Sequence, residues 1–176
     1  MIRPILFLRS LILILPVLGC GENSPSKSGY AERVNPKNPS DRIAGIPDND
    51  EKMNNAMAKA RATVDTFLTA LKEPTSNRTR FAVKLHFNDG SRTEHIWISK
   101  VTFDGVLFHG VIPNDPQIVK SVKAGQKVSV AKGEISDWMF VENNKLVGGE
   151  TLRAVRNAFN DKDRIEFDKS LPFVID

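Results

Sequence analysis

Three histidines, His86, His95 and His109, are the side chains of this sequence best suited to chemistry near neutral pH. A metal site needs several imidazoles or carboxylates converging within about 2 Å of one ion. His86 and His95 flank Asn88-Asp89-Gly90, a hairpin-turn signal. A two-residue loop at Asp89-Gly90 sets His86 opposite Thr93 and diagonal to His95, on one face. A three-residue loop that includes Asn88 shifts the pairing by one position and sends the two rings to opposite faces. His109, on the following strand, would complete a three-histidine metal site in the first of these registers. Glu94-His95 with Ser91 or Ser99 invites a hydrolase reading. The sequence has no Gly-x-Ser-x-Gly turn, however, and neighbours in a strand point to opposite faces. Asp137 and Glu142 are the residue types of acid–base catalysis, although Asp137, just before Trp138, reads better as a turn or cap residue. Gly148-Gly149 lacks the spacing and the lysine of a phosphate loop, so no cofactor is implied. Trp97 and Trp138 read either as core residues or as a shared aromatic surface that takes a partner, with Lys145 on its rim. No catalytic residue is assigned.

These residues must be positioned by a domain that begins near Asp48. Met53, Ala56, Met57, Ala60, Val64, Phe67, Leu68 and Leu71 recur at spacings of three and four. That spacing predicts one amphipathic helix over residues 50–72, capped by Asp48 with Glu51 and ended by Pro74. The period then changes to two. Phe81, Val83, Leu85 and Phe87 alternate with Arg80, Ala82, Lys84 and His86, which predicts a strand buried on one face. Return strands follow through residues 94–98 and 106–111. Asp115-Pro116 suggests the start of a short helix through Ile118, Val119 and Val122, closed near Gly125. Further strands are expected at 127–130, 135–141 and 146–147. Helices should follow at 151–159 and 161–167, then an extended tail. The expected fold is α+β: an N-terminal amphipathic helix on a curved antiparallel sheet of about five or six strands, with C-terminal helical elements. The strands are short and the turns tight enough for barrel-like closure.

The N-terminus carries an address. Arg3 and Arg9 precede the apolar run Leu11-Ile12-Leu13-Ile14-Leu15, which is shorter than the roughly 20 residues a spanning helix needs. Val17-Leu18-Gly19-Cys20 resembles a bacterial lipobox, in which the cysteine after the cut receives lipid. Cys20 is the one cysteine of the chain, which excludes an intramolecular disulfide. The expected organisation is a signal peptide over 1–19, a lipidated Cys20 with a flexible tether over 20–47, and the domain over 48–176. Pro25, Pro36, Pro39 and Pro47, with many Ser, Asn and Lys, keep the tether from burying enough surface to offset its ordering entropy. The leader holds two basic and no acidic residues, so its removal lowers the net charge from +4 to +2. A near-neutral, exported protein is not expected to bind nucleic acid. Gly21 after the cysteine favours the outer membrane, on its periplasmic side, if the host has two membranes.

Helix 50–72, Phe81-Ala82-Val83-Lys84, Glu94-His95-Ile96-Trp97, Ile135-Ser136-Asp137-Trp138-Met139 and Leu146-Val147-Gly148-Gly149 with Thr151 follow one another in that order. In this the chain resembles the YegJ-like family of bacterial domains of unknown function, over about residues 48–160. The resemblance implies a compact α+β domain, often exported or anchored, and no reaction or catalytic residue. The expected function is a lipid-anchored envelope domain that binds a protein or another envelope component without catalysis. The alternatives are metal binding by the three histidines and, third, hydrolysis of envelope polymers.

Overall fold

The computed structural model describes residues 50–90 and 92–176; the leader, Cys20 and the tether lie outside the described residues. Helices α1 (Glu51–Ala62) and α2 (Val64–Lys72) precede strands β1 (Arg78–Asn88), β2 (Thr93–Phe103), β3 (Leu107–Val111) and β4 (Lys127–Ala131). Strands β5 (Asp137–Glu142) and β6 (Lys145–Gly148) follow, then helices α3 (Glu150–Ala158) and α4 (Asp161–Lys169). The six strands form one antiparallel sheet in the order β4-β3-β2-β1-β5-β6. The fold is α+β. No described helix is long and apolar enough to cross a membrane.

The sheet is open, which corrects the expectation of barrel-like closure. β4 and β6 end it at opposite sides. The C-terminal segment lies along β6, where the Leu146 amide donates to the Val174 carbonyl at 2.8 Å and the Val174 amide to the Asn144 carbonyl at 2.9 Å. Register shifts between Thr79 and Ala82 and between Ser99 and Thr102 interrupt the ladders. Arg80 (φ 55°) and Lys100 (φ 54°) sit at these shifts in the left-handed region. Such β-bulges bend a strand and sharpen its twist.

The single helix expected over residues 50–72 is two. Asp50, not Asp48, caps α1, its carboxylate accepting from the Met53 amide at 2.8 Å. At Thr63 the backbone leaves the helix (φ −109°, ψ 9°), and the hydroxyl donates back to the Lys59 carbonyl at 2.9 Å. In an unbroken helix the Ala60 carbonyl would take the amide of residue 64. Here it accepts the Thr63 amide at 3.2 Å and the Trp138 indole N–H at 2.8 Å. The break lets the two segments serve different cores.

Those cores lie on opposite faces of the sheet. Along β5, Trp138 and Phe140 belong to one apolar cluster, Met139 and Val141 to the other. The period of two therefore separates them. The first core holds Ala60, Val64, Phe67 and Leu68 against Val83, Leu85, Ile98, Phe108 and Trp138. Phe67 touches Phe81, Phe108 and Trp138 with ring centroids at 5.7–5.8 Å. The second holds Met53, Leu152, Val155, Phe159, Phe167, Phe173 and Ile175 against Val141 and Leu146.

The short helix expected after Pro116 does not form. Residues 112–126 run instead as a strap whose central amides, those of residues 117–120, are taken by side chains of the β1–β2 hairpin. Glu94 accepts from Gln117, Ile118 and Val119 at 3.1, 2.8 and 3.1 Å. Asp89 accepts from Lys120 at 2.6 Å, and Asp115 from Ala124 at 3.0 Å. A carboxylate holding three amides replaces the bonds a helix would have made. In Glu94→Gln the amides of residues 117–119 should therefore exchange with deuterium at least tenfold faster. The β1 amides should keep their protection, and hydrogen-exchange mass spectrometry reads both.

Gly148 adopts φ +72°, and a Cβ there would stand 2.5 Å from both the Trp138 ring and its carbonyl. Gly148→Ala should cost about 2–4 kcal/mol, from backbone strain and overpacking together. Gly105→Ala, at φ +106° but facing open space, should cost only the strain. Denaturant unfolding of the two variants compares them.

Candidate functional site: a buried lysine on the second face

The hairpin turn occupies residues 89–92, closed by the Asp89 amide on the Arg92 carbonyl at 3.1 Å. The Arg92 guanidinium reinforces it with two bonds to the Asp89 carboxylate, at 3.0 and 2.9 Å. Neither short loop expected from the sequence is present. The longer loop sets His86 directly opposite His95 and Lys84 directly opposite Trp97. On the other side of β1, Lys84 pairs with Asp137 of β5. Trp97, Lys84 and Asp137 thus form one row across three strands, with His95 and His86 in the next row of the same face.

The sheet face holding this row is the one that α3 covers, and the polar side chains meet beneath the start of that helix. Asp137 is fully buried. Its carboxylate accepts the Thr151 amide and hydroxyl, both at 2.7 Å, the Trp138 amide at 2.8 Å and the Glu150 amide at 3.3 Å. Gly149, the N-cap residue of α3, contributes no side-chain cap. Asp137 supplies from a strand what a local Ser or Asp would supply in most helices, and its charge faces the positive end of the helix dipole. Burial pushes its carboxyl up from the ordinary aspartate range, against the Thr151 bonds and the Lys84 charge, which hold it down.

Lys84 is 1% exposed. Its ammonium donates to the Thr151 hydroxyl at 3.2 Å and lies 5.5 Å from the centroid of the Trp97 ring. The Thr151 hydroxyl in turn donates to Asp137, so cation and carboxylate communicate through one O–H. Desolvation lowers the Lys84 pKa from 10.5 to about 8, with the Asp137 charge acting against it. At the mouth of this row the His95 Nδ1 lies 2.7 Å from the Ser136 hydroxyl, and the His86 and His95 rings stand 4.9 Å apart.

His86 and His95 are therefore together and His109 is not with them. His109 bonds Asp104 through Nε2 and Ser129 through Nδ1, each at 2.7 Å. Asp104 also accepts the Leu107 and Val106 amides, and these bonds with that of His109 hold its pKa near 2. Among the described residues no group of three or more His, Cys, Asp or Glu is placed to hold a metal ion. Trp138 lies in the first core at 3% exposure, its indole N–H committed to Ala60, so it cannot share a surface with Trp97. Lys145 is exposed on β6 and reaches Asp176 at 3.3 Å. Trp97 is half-buried, and its indole Nε1 is buried with no hydrogen-bond partner among the described residues.

Lys84, Ser136 and Thr151 were missed as site residues. Alternation alone assigns Lys84 to a solvated face; only α3, from 67 residues along the chain, covers it.

A family of bacterial proteins described as "Uncharacterized protein conserved in bacteria (DUF2314)" matches residues 50–174. The chain belongs to this family. The DUF2314 match covers all but the last two of the described residues, including the Lys84–Thr151–Asp137 network. The chain is similar to the Uncharacterized protein YegJ of Escherichia coli K12, 39% identical over 102 residues, 58% of this chain and 65% of that one. It is also similar to the Putative ankyrin repeat protein NMB1133/NMB1171 of Neisseria meningitidis serogroup B, 37% identical over 127 residues, 68% of this chain and 50% of that one. The chain thus aligns with only half to two thirds of each relative's length. No solved structure matches it.

The buried lysine gives this domain a distinctive alkaline response. Below about pH 8 Lys84 is charged folded and unfolded, and the desolvation penalty is felt in full. Between about 8 and 10.5 the folded state gives up the proton that the unfolded chain still holds, so this residue's contribution to stability rises with pH. The whole rise is on the order of 3 kcal/mol. Lys84→Met should lose it, as the difference in urea-unfolding free energy between wild type and variant from pH 7 to 11.

Proposed function

We propose that this DUF2314 protein is a lipid-anchored component of the cell envelope whose domain is a non-enzymatic interaction module. Cys20, behind its apolar leader, would fix the chain to the membrane, and residues 21–47 would let the domain stand off it. With Gly21 after the cysteine, the periplasmic side of the outer membrane is the proposed location in a host with two membranes.

The observation that carries the binding reading is the half of the second sheet face that no described residue covers. Over β5 and β6 that face is buried under α3 and α4 and the C-terminal segment. Over β2, β3 and β4 the register brings Ser99, Thr102, His109, Val111, Lys127 and Ser129 to the same face, and all of them are exposed or half-exposed. Trp97 stands at the border between the two halves, and half-buried aromatic residues at such borders are frequent anchors of interfaces. Lys145, on the far edge, is a weaker candidate for the same surface. A second reading, metal binding, draws on the His86–His95 pair, which presents two imidazoles across one ladder position. His109 has no part in it. Zinc titration followed by the two ring resonances tests that reading.

In-cell crosslinking of the full chain, with capture and mass spectrometry, tests the main one, using Cys20→Ala as the unanchored control. One envelope protein should be enriched at least fivefold over the control, with crosslinks on β2–β4. Equal recovery from both forms, or crosslinks confined to the helices, would sink the reading.

A further inference from the structure

We propose that Trp97 and Lys84 together form a binding site for a carboxylate, so that the partner of this domain docks through an acidic side chain or a chain terminus. The inference rests on the interaction-module reading and names the chemistry of the group recognised.

The argument is a count of donors and acceptors. Lys84 carries three N–H donors, and its bond to the Thr151 hydroxyl uses one of them. Trp97 carries one donor, and it is buried without an acceptor among the described residues. The two acceptors bonded into this cluster, Asp137 and Thr151, are already engaged. Asp137 takes four donors at the head of α3, and the Thr151 oxygen accepts from Lys84 while donating to Asp137. The corner is rich in donors and poor in acceptors. The Asp137 charge offsets that of Lys84 without supplying it a direct hydrogen bond, because the Thr151 hydroxyl stands between them. Fully buried lysines are rare unless paired, and leaving donors unmade in a buried place is unfavourable.

A carboxylate meets these demands with two oxygens on one planar group. One oxygen would accept from the Lys84 ammonium and the other from the Trp97 indole, giving one charge-assisted bond and one neutral bond. Both donors are buried, so a carboxylate would have to displace the edge of the Trp97 ring to reach them. The four-carbon stem of Lys84 lets its ammonium swing toward that edge, where a rigid guanidinium could not follow as freely.

The chain contains two tryptophans, which provide the test and its internal control. In the full chain labelled with nitrogen-15 tryptophan, sodium acetate should move the Trp97 indole resonance downfield with saturation. The Trp138 resonance, locked on the Ala60 carbonyl, should stay still. Sodium chloride at equal ionic strength should move neither. Lys84→Met should reduce the apparent acetate affinity at least tenfold, with the Trp138 resonance reporting that the variant is folded. Trp97→Phe keeps an aromatic face over Lys84 and removes the N–H; it should abolish the acetate-induced rise in melting temperature. An unmoved Trp97 resonance overturns the proposal, as does an equal response to chloride. Inorganic phosphate acting at lower concentration than acetate overturns the assignment to a carboxylate. A partner captured in cells alongside a silent acetate titration would leave the interaction module standing and remove only this site.

Discussion

A single buried carboxylate, Asp137, decides how the two halves of this domain join. It belongs to the sheet by its backbone and to helix α3 by its side chain, which takes two amides and a hydroxyl from the first residues of that helix. An uncompensated charge at full burial would be strongly unfavourable. Here the amides, the helix dipole and the Lys84 cation together make it tolerable. The same compensation explains Lys84, whose ammonium would have no reason to be inside without the Asp137–Thr151 pair. Gly149, with its left-handed backbone and no side chain, brings the helix start close enough for the strand to cap it.

The second consequence of that junction is asymmetry between the two faces of the sheet. On the first, α2 and the aromatic cluster around Phe67 fill the space from β5 to β4. On the second, α3 and α4 are drawn to β5 and β6 by the Asp137 cap and by Leu152, Val155 and Phe167, so β3, β4 and the end of β2 present mostly polar residues there. A half-covered sheet is a sound scaffold for recognition because the covered half fixes the strands while the open half need not contribute to stability.

What could be read from the sequence follows from which forces are local. The period-two pattern of Phe81 to Phe87 and the turn signals found the strands, since each strand has one apolar face toward the first core. Gly148-Gly149 marked the end of β6 for a local conformational reason. The hairpin register was not legible, because the Arg92–Asp89 pair that closes a four-residue turn is a side-chain matter that Asp-Gly dipeptide statistics do not contain. The helix expected after Pro116 failed for a similar reason. Its amides are taken by Glu94, from more than 20 residues away. Thr63 looked like one more helical residue on spacing alone, and only the demand for the Ala60 carbonyl by Trp138 shows why a break is useful there. Of the residues singled out for recognition, Trp97 lies at the border of the open face, whereas Trp138 shares its residue type and not its setting.

The strap over residues 112–126 has a bearing on the order in which the chain can assemble. Its two ends bond to each other through Ile112, Gly125 and Gln126, but its central amides find their acceptors in Glu94 and Asp89. Those carboxylates converge only once β1 and β2 have paired. The hairpin pairs neighbouring stretches of chain across a short turn, and local contacts close early. The strap is therefore a follower that settles onto a finished template. α3 is a follower of a later kind, since its cap arrives only when β5 has docked on β1 across the long loop closure from Lys84 to Asp137. The hairpin thus precedes the strap, and α1 meets α3 only once that helix has its cap.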